Sequence, residues 1–152
     1  MTSSPESVVL LIADDDPEDC MLMRDALREG HLVNDLRFVA DGEELLDYLL
    51  HRGKYADPLS APRPGLILLD LNMPRKDGRE ALKEIKEHPS LKSIPVVVFT
   101  TSKAEEDIYR SYELGVSSFI TKPVTFSSLI HTVKTLGQYW FSVVALPGDQ
   151  PR

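Results

Sequence analysis

One cysteine, Cys20, is all that this chain carries. A lone thiol excludes an internal disulfide framework and fits a reducing compartment. No apolar run approaches the roughly 18 residues of a membrane-spanning helix. The first run, residues 8–13, is too short for the core of a secretory signal and ends against acid, so the cytoplasm is the expected location. Surplus positive charge is missing too. Lys and Arg number 17 against 24 Asp and Glu, a formal net charge of −7. That argues against nucleic acid as a direct partner, because neutralising phosphates takes clustered cations. Histidines His31, His51, His88 and His131 are scattered without ligand spacing and read as surface or packing residues. Internal repeats and low-complexity tracts are absent.

The 152 residues, 42% of them hydrophobic and 27% charged, suffice for one domain with its own core. That domain is expected over residues 8–144, with an extended last helix. Residues 1–7 and 145–152 read as disordered tails. Three runs are almost purely apolar: "VVLLIA" (8–13), "GLILLD" (65–70) and "PVVVFT" (95–100). None alternates polar with apolar, the pattern of a parallel strand covered on both faces. The weaker runs "LRFVA" (36–40) and "SSFIT" (117–121) read as strands nearer an edge.

Helices fall between these runs. Asp16 and Pro17 make an N-cap followed by proline at the first helical position. Cys20, Met23 and Leu27 recur at helical spacing, Gly30 supplies a stop, and Met21 reads as a further packing residue. Asp41 and Glu44 form a capping-box-like start for a helix carrying Leu45, Leu46 and Leu49. Ala81, Leu82 and Ile85 face the core from a third helix, and "AEEDIYRSYELG" ends on Gly115, a natural C-cap. The last helix starts near Thr125, with Phe126, Leu129, Ile130, Val133, Leu136 and Trp140 periodic toward the sheet.

The order is a strand-helix unit repeated along the whole chain. Right-handed crossovers turn that order into an α/β fold, a doubly wound five-stranded parallel sheet with helices on both faces. The common solution is the flavodoxin-like order 2-1-3-4-5, in which the first and third strands meet at the switch point where ligands bind. Asp14, Asp15 and Asp16 end the first strand, Asp70 the third, Thr100 the fourth and Lys122 the fifth. Asp14, Asp15 and Asp70 offer hard oxygen ligands for Mg²⁺. Without a cation their mutual repulsion raises pKa values. An Asp carboxylate can also attack a phosphoryl group. Lys122, aimed along the strand end by Pro123, and Thr100 could then hold the phosphoryl oxygens. Asp16 is expected to cap its helix rather than touch metal.

Four stretches in order, "ADDDP", "LLDLNMPRKDG", "VVVFTTS" and "FITKPV", resemble a response-regulator receiver domain, the phosphoacceptor half of two-component signalling. The resemblance runs from about Val8 to Trp140. It implies that Asp70 accepts a phosphoryl group from a histidine kinase. It also implies that Asp14, Asp15, Asp70 and the Asn72 backbone carbonyl organise Mg²⁺. Thr100 is then the switch hydroxyl and Phe119 the aromatic that turns with it. Asn72 and Ser102, two residues beyond acceptor and switch, are implied to tune the phosphoryl lifetime. One departure is Asp14, where many relatives carry Glu.

A narrower resemblance is to the single-domain receivers that serve bacterial and cyanobacterial phytochromes. It rests on the insertion "HRGKYADPLSAPRP", the doublet "TTS" and the extended end "GQYWFSVVALP". That insertion reads equally as a tolerated surface loop or as a docking element. Tyr139, Phe141, Val143 and Val144 exceed what one face of the last helix needs; joined by Tyr109 and Tyr112 on the fourth helix, they point to a symmetric homodimer through the last two helices and the fifth strand, the alternative being a tail folded back on its own domain. After Pro123 only a helix and a tail remain and no recognition helix is available, so output is expected through protein binding. Two rivals stand beside this reading. A phosphohydrolase of the haloacid dehalogenase type would resemble "DxDGT" at its nucleophile, where this chain has "DLNMP". A degenerate receiver would act as a scaffold without phosphorylation.

Overall fold

A computed structural model describes residues 8–29 and 35–139. Gly30, His31, Trp140, Phe141, Val143, Val144 and both expected tails lie outside the described residues. Strands β1 (Val9–Ala13), β2 (Asp35–Val39), β3 (Leu66–Leu69), β4 (Val96–Thr100) and β5 (Ser118–Thr121) alternate with helices α1 (Pro17–Glu29), α2 (Gly42–Leu50), α3 (Gly78–Glu87), α4 (Glu105–Leu114) and α5 (Phe126–Gln138). The sheet is parallel throughout, in the order β2-β1-β3-β4-β5. This is the doubly wound, flavodoxin-like arrangement expected from the sequence.

The apolar runs are continuous because each strand feeds two cores. Leu10, Ile12, Leu66, Leu68, Val97 and Phe99 meet Met23, Ala26 and Leu27 of α1 and Leu129 and Val133 of α5. Their alternates Leu11, Ala13, Ile67, Leu69, Val96 and Val98 meet α2 and α3 through Leu45, Leu46, Ala81, Leu82 and Ile85. With both faces covered, alternation in the sequence disappears. The weaker runs are the edge strands β2 and β5, only partly buried for the same reason.

Local signals hold at the helix starts. Asp16 Oδ1 accepts from Glu18 N at 2.9 Å, Asp41 Oδ1 from Glu44 N at 2.8 Å, and Thr125 Oγ1 from Ser128 N at 3.2 Å. Gly115 ends α4 in the left-handed region, at φ 102°. Two expectations fail. Met21 is 51% exposed and Phe126 59% exposed, so neither packs on the core. Phe126 is the first residue of α5, and helical periodicity does not ensure that the end of a helix is covered.

The insertion folds back on its own domain. It forms two short 3₁₀ turns, Gly53–Tyr55 and Pro58–Ser60. The Tyr48 hydroxyl donates to the Pro62 carbonyl at 2.8 Å, and Arg63 Nη1 to the Ser90 carbonyl at 2.7 Å. Ala61 is buried beneath them, and Leu59 stands exposed near the tip. Among the described residues, no helix is long and apolar enough to cross a membrane.

Candidate functional site

The strand ladders carry the chemistry to one end of the sheet. Asp14 N donates to the Val39 carbonyl at 3.0 Å and Asp70 N to the Ala13 carbonyl at 2.9 Å, so the two aspartates leave neighbouring strands together. Lys122 N donates to the Thr100 carbonyl at 2.7 Å and brings the last two partners alongside. Gly78 holds the loop after Asp70 close: its N–H meets the Leu71 carbonyl at 2.9 Å, and a Cβ there would lie 2.2 Å from the Asp70 carbonyl oxygen. Only glycine lets α3 begin so near that backbone.

Asp14, Asp70, Thr100 and Lys122 are all buried, whereas Asp15 is exposed. The Lys122 ammonium lies 2.6 Å from Asp14 Oδ2, 3.0 Å from Asp19 Oδ2 and 3.3 Å from Asp70 Oδ2. Asp70 Oδ1 accepts from the Thr100 hydroxyl at 2.7 Å and from Asn72 N at 3.1 Å. Burial works against the lysine's charge, but Asp14 first and Asp70 and Asp19 after it hold its pKa above the ordinary value. Burial pushes the Asp14 carboxyl up against the pull of Lys122, and the Asp70 charge adds to that rise.

One ammonium therefore faces the carboxylates of Asp14, Asp19 and Asp70. Oxygens of Asp14, Asp15 and Asp70 lie within 4.8 Å of one another. Hard oxygen donors so close, with negative charge left over, fit a divalent cation. Asp16 spends its carboxylate on the α1 cap, as expected from the sequence. Phe119 is half-buried on β5 and packs against the α2–α3 core rather than on the carboxylates. Tyr112 accepts a hydrogen bond from Phe119 N at 3.0 Å, tying α4 to the strand that carries the aromatic. Asn72 is exposed over Asp70, and its Nδ2 lies 3.4 Å from the Thr100 hydroxyl.

Sequence reading missed two groups. Asp19 on α1 is a further partner of Lys122. Its signal was the Asp16 cap, which sets Asp19 on the first helical turn above the strand ends. Arg79 on α3 is the other. Its Nε and Nη2 reach Asp107 Oδ1 at 2.8 Å and Oδ2 at 2.7 Å. That fork, helped by the Ser102 hydroxyl, holds the Asp107 carboxyl down at about 2. Cys20, half-buried beside the site, has its thiol pushed up to about 12 by burial and then by the Asp14 charge, which disfavours the thiolate.

The Response regulator receiver domain family matches residues 10–134. The chain is 42% identical to Response regulator Rcp1 of Synechocystis sp. over 145 residues, covering 95% of this chain and 96% of that one. The crystal structure of the Mn²⁺-bound form of Rcp1 superposes with a TM-score of 0.87 at 41% identity, covering 93% and 99% of the two chains. The phosphorylated cyanobacterial phytochrome response regulator RcpA is similar over 94% of this chain and 100% of its own, at 43% identity and a TM-score of 0.88. A family match across most of the sequence, and relatives that align nearly end to end, lead to one conclusion: this chain belongs to the response regulator receiver domain family.

Proposed function

We propose that this receiver is a phosphorylation-controlled switch whose acceptor is Asp70. The observation that carries the reading is the convergence of Asp14, Asp15, Asp70, Thr100 and Lys122 at one end of the sheet. Of the two acceptor oxygens, Oδ1 is already engaged by Thr100 and Asn72 N, and Oδ2 has Lys122 at 3.3 Å. Oδ2 is thus the freer nucleophile. It attacks phosphorus as the bond to a kinase histidine nitrogen breaks, and the electron pair leaves with the imidazole.

Asp14, Asp15, Asp70 and the Asn72 backbone carbonyl would hold Mg²⁺. When bound, the cation neutralises charge on the transferring phosphoryl group. Lys122 supplies a fixed positive charge to the same oxygens. Thr100 gives up its hydroxyl bond to Asp70 and turns to the phosphoryl group, and Phe119 rotates with it. The protein is then a phosphoacceptor that catalyses its own phosphorylation and dephosphorylation and acts on no outside substrate.

The donor we propose is a histidine kinase, specifically a phytochrome, in the cytoplasm. Similarity to Rcp1, and to RcpA as a phytochrome response regulator, supports that choice. Output runs through the face of α4, β5 and α5, with a homodimer formed there. Tyr109, Tyr112 and Tyr139 are exposed on this face, and Phe141, Val143 and Val144 are assigned to it from the sequence. Residues 8–144 act as the domain. The scaffold alternative is disfavoured because Lys122 and Thr100 are both seated against the acceptor, an arrangement that a scaffold does not need.

The test is incubation with acetyl phosphate and Mg²⁺, read by intact mass. Wild type gains one phosphoryl group, while Asp70→Asn and a chelated control gain none. A folded wild type that takes no label and does not bind beryllofluoride with Mg²⁺ overturns the reading.

A further inference from the structure

Asn72 is the exposed side chain over the buried acceptor, and both ends of its carboxamide are engaged. Nδ2 donates to the Thr100 and Thr101 hydroxyls, each at 3.4 Å. Oδ1 accepts from Arg79 Nη2 at 3.3 Å. A guanidinium can only donate, so it must face the carbonyl oxygen of an amide. Arg79 therefore decides which way Asn72 points.

Arg79 is itself held firmly. Besides the fork to Asp107, its Nη1 donates to Asp77 Oδ2 at 3.2 Å and to the Leu71 carbonyl at 3.4 Å. Asp107 Oδ2 also accepts from the Ser102 hydroxyl at 2.6 Å, and Ser102 N lies 3.4 Å from Thr100 Oγ1. The contacts close into a ring: Thr100, Asn72, Arg79, Asp107, Ser102 and back to Thr100. This ring joins α3 to α4 through the Thr100 hydroxyl, which donates to Asp70. The transfer step described above uses neither Arg79 nor Asp107.

We propose that Arg79, anchored by Asp107, is a positioning residue that slows hydrolysis of the Asp70 aspartyl phosphate by keeping the Asn72 carbonyl oxygen away from the attacking water. The proposal rests on Asp70 being the acceptor. In hydrolysis the water oxygen bonds to phosphorus as the bond from phosphorus to the Asp70 oxygen breaks. The electron pair returns to the carboxylate, one water proton leaves on the phosphate and the other goes to solvent. A carboxamide free to turn can offer its oxygen to that water and orient it. Asn72 Oδ1 in the grip of Arg79 cannot. Releasing it speeds loss of the phosphoryl group and leaves its arrival unchanged.

The experiment labels wild type, Arg79→Ala, Arg79→Lys, Asp107→Asn, Asn72→Ala and the Arg79→Ala/Asn72→Ala double variant with acetyl phosphate and Mg²⁺. Donor is then removed, and label loss and phosphate release are followed together. Arg79→Ala and Asp107→Asn should lose label about three- to tenfold faster than wild type, the size of one hydrogen bond to the water, and Arg79→Lys, which keeps a donor but not the fork to Asp107, should fall between them and wild type. Their rates of label gain should stay within about twofold of wild type, since no group of the transfer step is altered. On the Asn72→Ala background, Arg79→Ala should change nothing. An unchanged lifetime in the Arg79 variants overturns the proposal. So does an equal acceleration on the Asn72→Ala background, which marks a loosened fold instead. Arg79→Lys keeps the charge and guards against a folding defect in Arg79→Ala. A wild type that takes no label removes the acceptor reading itself, a result distinct from label that is gained and lost at one rate in every variant.

Discussion

At the amino end of the sheet, the Tyr48 hydroxyl meets the Pro62 carbonyl and Arg63 reaches the Ser90 carbonyl. At the carboxyl end, one buried ammonium sits among Asp14, Asp19 and Asp70. The same five strands support both ends. The first is a surface of satisfied polar groups, each contributing about 1 kcal/mol to stability. The second keeps carboxylates buried and undercompensated, which costs stability that the proposed cation would offset.

Substitutions at the carboxyl end should separate function from stability. The largest effect is expected from Asp70→Asn, which abolishes labelling by acetyl phosphate. It removes one of the repelling charges, so its melting midpoint should equal or exceed that of wild type. Lys122→Met should go the other way. It strands buried carboxylates and should cost about 3 kcal/mol in urea unfolding, part of which Mg²⁺ restores. Mg²⁺ itself should stabilise wild type by about 2.7 kcal/mol at a hundredfold excess over its Kd. Asp15→Asn should lose most of that gain in a thermal shift titration. At the opposite end, Tyr48→Phe should cost about 1 kcal/mol and leave labelling untouched. If it alters labelling, the two ends are coupled and the contrast fails.

The smallest effect is one of pH. The Asp107 carboxyl lies at about 2 in the fold against an ordinary 3.8, held by Arg79. Its folded pKa is depressed, so the stability it contributes is present above pH 3.8 and is lost as pH falls through about 2. Unfolding of wild type and of Asp107→Asn should differ near neutrality and converge at that acid limit. Because Arg79 is partly exposed, the difference should stay below about 1 kcal/mol.

Legibility followed the range of each interaction. Strands were readable because burial on both faces leaves an unbroken apolar run, as in 65–70 and 95–100. Caps at Asp16, Asp41 and Thr125 were readable because a side chain and its backbone partner are two or three residues apart. Phe126 misled for the opposite reason. Periodicity reports which side of a helix a residue is on, not whether that side is covered at the helix end. The insertion could not be assigned from its prolines, since what holds it is Tyr48 and Ser90, on either side of it in the chain.

By itself the sequence determined the winding, and with it the meeting of Asp14, Asp70, Thr100 and Lys122 at the carboxyl end, because right-handed crossovers leave a parallel sheet one switch point. Tertiary structure alone decided which neighbours those groups have. Asp19 joins Lys122 across 103 residues of chain, and Arg79 finds Asp107 across 28. Such pairs form where side chains of separate elements come within hydrogen-bond reach, and no local pattern of residues records that distance.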